Sequence, residues 1–364
     1  MMEEHLIILK EVEEMPTTES ADKSLGQSKL DSELQHITQR YGEGVVTRAS
    51  ESDRITLTSI PTGSLSLDIA TGIGGIPRGH VTEIYGPHSC GKTTLALSTI
   101  AEAQRQGDTA VFIDMEHVLQ LPYAARLGVD LDRLILVQPR TGDDAFEIMG
   151  ALIKTGEVAI VVLDSVAAIV HHGELGSDMG VRPRDEVSQL IDQAMRVLSW
   201  SIAQTNTCVI FTNQLRQKLD VMFGNPETTT GGEPLKNWAS LRIDVRRIQS
   251  LKVGPDIIGT RTRVRVVKNR LALPFQTAEF DILHGQGISK LGDLLDLAVM
   301  NEIVSKRGAL YHYGETSLGQ GRMNAVEFLG GHKKIAAEIE NRIRQGLWAD
   351  IEKSEGDRET KKKK

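Results

Sequence analysis

Residues 81–94 read VTEIYGPHSCGKTT, an apolar run followed by a glycine-rich turn and the start of a helix-like stretch. The eight residues from Gly86 to Thr93 fit the pattern G-x-x-x-x-G-K-[ST], which binds nucleotide phosphates when a strand precedes it and a helix follows. Glycines permit the tight turn, and backbone N–H groups at the helix N-terminus face the phosphates. This stretch therefore predicts a nucleoside triphosphate site on an α/β core.

The residue types within this phosphate loop predict separate roles. Lys92 neutralises the terminal phosphates, and the hydroxyl of Thr93 binds Mg²⁺. The rest of the loop is expected to surround the nucleotide: Gly86, Pro87, His88, Ser89, Cys90, Gly91 and Thr94.

The composition excludes several classes of protein. Of the 364 residues 40% are hydrophobic, and no apolar stretch approaches the roughly 20 residues that a membrane helix needs. The start MMEEHLIILKEVEEM has acids where a signal peptide has lysines. We therefore expect no membrane partner, a cytoplasmic location and free thiols at Cys90 and Cys208. The formal net charge of -7 means that nucleic-acid binding requires a local basic groove. The arginine-rich stretch Leu241 to Arg270 is a candidate, with a solvated strand face as the alternative.

Strand-like and helix-like stretches alternate after the phosphate loop. This alternation predicts a mainly parallel, twisted sheet covered by helices. The stretches Leu241 to Ile248 and Thr262 to Val267, joined by the turn-rich VGPDIIG, predict a hairpin that extends the sheet. The candidate parallel strands are Val81 to Tyr85, Ala110 to Ile113, Leu134 to Val137, Ala159 to Leu163 and Cys208 to Thr212.

Composition also suggests how the chain is divided. Residues 1–30 are polar and predict a disordered extension, and residues 31–53 contain a short helix from Ser32 to Tyr41. The ATPase core is expected at 54–286. A small C-terminal α/β domain is expected at 287–348, and a flexible tail at 349–364.

Three acidic residues at strand ends are candidates for the chemistry. Asp164 ends the apolar VAIVVLDS and is expected to support Mg²⁺, although an aspartate there can also cap a turn. The strand Ala110 to Ile113 delivers both Asp114 and Glu116 to the same sheet edge. Glu116 is the candidate for the base that orients water, and sequence spacing separates it only weakly from Asp114.

The segments GPHSCGKTT, FIDMEHVL, VVLDSVAA, TNQLRQKLDVMFGNPETTTGG and RVRVVKNRLALPFQTAEFDI occur in the order seen in bacterial RecA recombinases. The chain resembles that family from Ser32 to Gln345. The resemblance implies a DNA-dependent ATPase that uses ATP and Mg²⁺, coats single-stranded DNA as a helical filament and exchanges strands with homologous duplex DNA. It also implies activation of self-cleavage in a LexA-type repressor during the SOS response.

The same resemblance assigns roles to individual positions. Glu116 activates water, Gln214 senses the terminal phosphate, and Tyr123 stacks on adenine. Lys268 and Arg270 match a pair that reaches the ATP of a neighbouring subunit, and the helix within 31–53 packs on that neighbour. Arg270 stands where the family usually has lysine, and a guanidinium is not interchangeable with an ammonium.

Two loops are expected to bind DNA. Basic side chains contact phosphates, glycines allow close backbone approach, and apolar side chains wedge against bases. The first loop, HHGELGSDMGVRPRDEVSQL, is rearranged relative to the family. The DNA-binding candidates are Met179, Gly180, Arg196, Arg216, Leu219, Phe223, Asn225, Gly231 and Gly232.

Three hypotheses about function follow. The first is a recombinase, and the second is a filament that serves as a signalling platform, with strand exchange impaired by the altered first loop. The third, a kinase or transporter-type ATPase with a phosphate loop, does not account for VMFGNPETTTGG.

Overall fold

A computed structural model describes residues 18–42, 45–46, 57–173, 186–217 and 227–346. The chain divides into two compact units, Met1–Thr56 and Leu57–Lys364. In the first unit a helix, α1, spans Thr18–Tyr41. Residues 18–30, expected within a disordered extension, are therefore helical. Their polar composition suggested disorder, but alanine, leucine, lysine, glutamine and glutamate all have good intrinsic helix propensity.

The second unit is built on a large sheet whose middle is parallel. A short antiparallel pair, β1 (Ser59–Ile60) and β2 (Ile76–Pro77), comes before it. The parallel strands are β3 Val81–Gly86, β4 Ala110–Asp114, β5 Leu134–Val137, β6 Ile160–Asp164 and β7 Cys208–Gln217. They lie in the order β3-β7-β6-β4-β5, which confirms the predicted mainly parallel sheet.

Antiparallel strands extend this sheet on the far side of β3. Strand β9 (Leu241–Val253) pairs with β3 in parallel and with β10 (Asp256–Asn269) in antiparallel fashion, as the predicted hairpin requires. The strands continue through most of VGPDIIG, and Gly254, with a φ of +58°, supports the turn. Short strand β8 (Glu227–Thr229) pairs with β7. The edge is completed by β11 (Thr277–Leu283) and β12 (Gly287–Ile288).

Helices cover both faces of the sheet. Leu95, Leu97 and Ile100 pack into one apolar cluster, whereas Phe146 and Met195 pack into another on the opposite face. Among the described residues every helix is too short or too polar to span a bilayer. The helices are α2 Leu65–Ala70, α3 Lys92–Arg105, α4 Leu121–Arg126, α5 Gly142–Lys154, α6 Glu186–Gln204 and α7 Gly232–Trp238.

A small α/β layer with its own apolar core follows the sheet. Leu295, Tyr311, Leu318, Leu329 and Ile339 are buried together in that core. It is joined to α2 by a hydrogen bond of 2.8 Å from the Ser64 hydroxyl to Asp293. Its elements are α8 Lys290–Met300, β13 Ser305–Arg307, β14 Leu310–Tyr313, β15 Thr316–Gln320, α9 Arg322–Gly331 and a final helix, α10, at 333–346.

Asp68 on α2 is a buried carboxyl group that makes stability depend on pH. Its Oδ1 accepts hydrogen bonds from the backbone and the hydroxyl of Thr62, at 2.8 and 2.7 Å. Burial nevertheless raises the pKa of Asp68 to about 7. Because the folded pKa is raised, the contribution to stability is full below the unfolded value of 3.8 and is lost as pH rises through 7.

Replacing Asp68 with asparagine should remove this part of the pH dependence, since the amide oxygen still accepts from Thr62 and carries no charge. Relative to the wild type, the free energy of unfolding of the variant should rise by on the order of 2 kcal/mol more at pH 8 than at pH 5. Urea denaturation at both pH values measures this difference. Exposed Asp132→Asn is the control, and an equal change at both pH values would contradict the prediction.

Candidate active site

The phosphate loop connects the end of β3 to the start of α3, as predicted. Gly91 has a φ of +103°, and a Cβ there would lie 2.4 Å from Cδ1 of Ile282. A Cβ on Gly86 would lie 2.2 Å from the carbonyl oxygen of Val245. Both positions therefore require glycine because the turn is tight and its neighbours are close. Gly91, the residue before α3, has no side chain to cap the helix, and an uncapped helix N-terminus favours an anion.

Lys92 is the first residue of α3, and its side chain folds back onto the loop. The ammonium donates to the carbonyl oxygens of Pro87 and Gly86, at 2.7 and 3.2 Å. The residue is only 9% exposed, so its charge acts at the loop rather than in bulk solvent. This arrangement suits an ammonium that neutralises phosphate oxygens.

Thr93 and Asp164 meet at the carboxyl end of the sheet. The Thr93 hydroxyl donates to Oδ2 of Asp164 at 2.6 Å, and the Thr212 hydroxyl donates to Oδ1. Burial raises the pKa of Asp164, so a cation beside it would favour the ionised form. Hydroxyl and carboxylate oxygens are the hard ligands that Mg²⁺ takes, and these residues fit that ion.

The described residues contain no group of three or more His, Cys, Asp or Glu side chains able to hold a metal by themselves. Mg²⁺ is usually bound through one or two protein groups, with water and substrate phosphates supplying the other ligands. The Thr93–Asp164 pair is therefore the kind of site that Mg²⁺ uses together with a nucleotide.

Glu116 and Asp114 lie at the same sheet edge but make different contacts. Oε1 of Glu116 accepts a hydrogen bond from the Ser165 hydroxyl at 2.6 Å and from Nε2 of Gln214 at 3.3 Å. Asp114 is buried and accepts from the backbone N–H groups of residues 118 and 119 and from the amide of Gln138. Asp114 thus holds the loop at residues 118 and 119, whereas the partners of Glu116 come from the end of β6 and from β7.

Tyr123 lies between two adjoining cavities at the phosphate loop. The cavities have volumes of about 380 and 410 Å³, and Thr93 and Tyr123 line both of them. The Tyr123 hydroxyl is 2.7 Å from the hydroxyl of Thr94, which fixes the ring position. Gln120 lines the smaller cavity.

Two of the glycines expected to bind DNA lie where α7 begins. Gly231 and Gly232 have φ values of +83° and +64°. A Cβ would lie 2.7 Å from Ile191 in the first case and 2.6 Å from the hydroxyl of Ser188 in the second. These glycines therefore bring the backbone close to α6. Arg216 on β7 is tied to the same turn, since its Nε donates to the Thr230 hydroxyl at 3.1 Å.

Arg196 lies on α6, the helix that packs against this turn. Its side chain is 70% exposed and forms an ion pair with Asp192 one turn earlier. The indole of Trp238 on α7 donates to the same aspartate at 3.0 Å. The structure therefore brings Arg196, Arg216 and the two glycines onto packed elements. The remaining DNA-binding candidates lie outside the described residues: Met179, Gly180, Leu219, Phe223 and Asn225.

Lys268 and Arg270 both contact the C-terminal end of α7. The Lys268 ammonium donates to the carbonyl oxygens of Lys236 and Asn237, at 2.6 and 3.1 Å. Arg270 donates to Asn237 at 2.8 Å. Cations at a helix C-terminus are favoured by its dipole. Burial, followed by the charge of Arg270, lowers the pKa of Lys268. Arg270 also lines a separate cavity of about 1110 Å³ between α2 and α8.

The sequence did not identify several polar residues that hold the site together. Ser165 and Thr212 are partners of Glu116 and Asp164, and Ser165 directly follows Asp164 along the chain. Asn213 and Glu83 form a buried hydrogen bond beside Gln214. The available signal was a charged or amide residue within an apolar strand, which is unusual unless a partner lies nearby.

Comparison with known proteins finds similarity to RecA proteins over nearly the whole described chain. A model of the RecA N-terminal domain matches residues 28–289, and a model of the RecA C-terminal domain matches residues 292–347. Protein RecA of Citrifermentans bemidjiense is 51% identical over 323 residues, which cover 88% of this chain and 96% of that relative. Protein RecA of Arthrobacter sp. is 48% identical over 337 residues, which cover 93% of this chain and 96% of that relative. Protein RecA of Clostridioides difficile is 50% identical over 324 residues, which cover 88% of this chain and 93% of that relative.

Proposed function

Because this chain belongs to the RecA family, and is therefore a DNA-dependent ATPase of recombination and DNA repair, we propose that it couples ATP hydrolysis to a helical filament on single-stranded DNA. The observation that carries the proposal is the hydrogen bond between Glu116 and Gln214. It joins the candidate water-orienting carboxylate to the strand that leads into the candidate DNA loop. The filament would pair its strand with homologous duplex DNA.

In the proposed reaction, ATP lies across the phosphate loop with its base beside Tyr123. Lys92 neutralises the terminal phosphates, and the N–H groups of α3 bind them. Glu116, held by Ser165, orients the attacking water and accepts its proton. Gln214 would sense the terminal phosphate. Its amide lies 3.3 Å from the Glu116 carboxylate, and so beside the place where the attacking water would be held.

Mg²⁺ would be held by Thr93 and, through its hydration shell, by Asp164. The ion would neutralise charge that develops on the phosphate oxygens. The support is the hydrogen bond between the Thr93 hydroxyl and the Asp164 carboxylate, which brings two oxygen ligands of the kind that Mg²⁺ takes together at the carboxyl end of the sheet.

DNA would contact the surface formed by α6, β7 and the start of α7. Arg196 and Arg216 would contact phosphates, and the backbone at Gly231 and Gly232 would approach the strand closely. The other five candidates, which lie outside the described residues, are proposed for the same surface. Such contacts tolerate any base sequence, as a recombination protein requires.

Subunits would join head to tail, with Lys268 and Arg270 reaching the ATP of a neighbour. Contacts of this type do not close on themselves and so propagate as a helix. We extend the proposal to activation of a LexA-type repressor by the filament. We also propose a cytoplasmic location, which is supported by the free and buried state of Cys90 and Cys208.

The test of the proposal is ATP hydrolysis with and without single-stranded DNA. We expect stimulation of at least about tenfold, since coupling between two sites commonly reaches that size. Heparin serves as a polyanion control and should not reproduce the effect. An absence of stimulation with basal turnover intact would contradict the proposed coupling. Formation of joint molecules between labelled single strands and homologous duplex then separates strand exchange from a signalling platform.

A further inference from the structure

Glu83, in the middle of β3, is a fully buried carboxylate that the proposed reaction does not use. Its exposure is 0%. Oε1 accepts a hydrogen bond from Nδ2 of Asn213 at 2.8 Å, and Oε2 accepts from Nε of Arg242 at 2.6 Å. A buried charge is costly unless its oxygens are paired, and here both are. One side chain thus ties β3 to its neighbours on either side, β7 and β9.

Asn213 connects this carboxylate to both candidate sites. Its Oδ1 accepts from the backbone N–H of Gln214 at 2.8 Å. Its Nδ2 also donates to the carbonyl oxygen of Thr230 at 2.7 Å, and Thr230 directly precedes Gly231. One buried amide therefore touches the residue before the DNA-side glycines and the backbone of the proposed phosphate sensor.

Arg242 closes the network on the other side of β3. Its guanidinium lies 4.8 Å from the centre of the Tyr85 ring, and only 15% of its side chain is exposed. On the next strand Lys268 lies opposite Arg242 in register. The aromatic ring and the ion pair hold the guanidinium in one orientation, so Glu83 is a fixed point to which the end of β7 is attached.

We propose that Glu83 is a positioning residue. By holding Asn213, it transmits a displacement of Gln214 to Thr230 and to the turn that follows at Gly231 and Gly232. A shift of Gln214 toward a terminal phosphate pulls on the Asn213 side chain. Because Glu83 prevents that side chain from rotating, the displacement passes to the Thr230 carbonyl. The inference rests on the proposed function, since it requires a nucleotide site and a DNA site that influence each other.

Glu83→Gln tests this step because it keeps the size of the side chain. A glutamine offers one acceptor to two donors, so either Asn213 or Arg242 loses its partner. Anisotropy of a fluorescein-labelled oligo-dT would be measured with the non-hydrolysable ATP analogue AMP-PNP and with ADP. We expect the ratio of the two affinities to fall by about fivefold or more, with the ADP affinity unchanged within about twofold.

Thr82→Val is the matched control, since Thr82 precedes Glu83 on the same strand, is fully buried, and its hydroxyl has no hydrogen-bond partner among the described residues. It should leave the affinity ratio unchanged. Stimulation of ATP hydrolysis by DNA should fall with the affinity ratio in Glu83→Gln. A purely structural defect would instead weaken DNA binding equally with both nucleotides.

Two results would overturn the inference: an unchanged affinity ratio in Glu83→Gln, or an equal loss with AMP-PNP and ADP. If thermal melting shows that Glu83→Gln does not fold, Arg242→Lys applies the same test, because lysine keeps the charge but lacks the Nε–H group that donates to Glu83. If the wild-type protein binds DNA equally well with AMP-PNP and with ADP, the proposed function is overturned as well. If the wild-type protein binds more tightly with AMP-PNP and the variant has the same affinity ratio, only the role of Glu83 is overturned.

Discussion

Glu116→Gln is expected to slow ATP hydrolysis by about 100-fold or more while ATP and DNA still bind. Ser165 and Gln214 both donate to Oε1 of Glu116, at 2.6 and 3.3 Å, and the amide oxygen of a glutamine can accept from the same two donors. A glutamine of the same size cannot accept the proton of the attacking water. Release of phosphate measures turnover, and anisotropy of a fluorescent ATP derivative measures binding.

Glu147→Gln on the exposed face of α5 is the matched control for this variant. It should leave turnover unchanged. Ser165→Ala should give a smaller loss, because it frees Glu116 to adopt other rotamers without removing its charge. Normal turnover in Glu116→Gln would remove Glu116 from the role and leave Asp114 as the candidate for it.

Lys92→Ala is expected to reduce turnover by roughly 100-fold to 1,000-fold, the size seen when a charge-stabilising donor is removed from an active site. The ammonium is held at the phosphate loop by two of the loop's own carbonyl oxygens. Without it the terminal phosphates lose their neutralising charge. The increase in melting temperature that ATP produces should also disappear, since ligand binding stabilises only the folded protein.

Lys154→Ala provides the matched control, because this exposed lysine ends α5 without a role in the proposed site. It should retain both turnover and the ATP-dependent rise in melting temperature. Full turnover in Lys92→Ala would show that the phosphate-loop assignment is wrong. Loss of turnover together with a lower melting temperature in the absence of ATP would instead point to unfolding, so both curves are needed.

The arrangement of the core was predictable because it depends on local and periodic features. Apolar runs such as Ile160–Asp164, which alternate with helical stretches, are typical of strands buried between helices. In a parallel sheet their carboxyl ends share one edge, which explains why the sequence places Asp164 and Glu116 in one candidate site. The start of α1 was missed because a polar helix has no apolar periodicity to reveal it.

By itself, the sequence determined the phosphate loop, the alternation that makes the sheet and the family to which the chain belongs, because each of these is carried by local patterns and by their order along the chain. Tertiary structure showed how the surroundings of Glu116 and Asp114 differ, since the difference lies in partners such as Gln214 and Gln138, which come from other strands and loops. It also revealed that Glu83 is joined to Asn213 and Arg242. A buried charge is tolerated only where distant segments supply its hydrogen bonds, and residue spacing carries no record of which segments will meet.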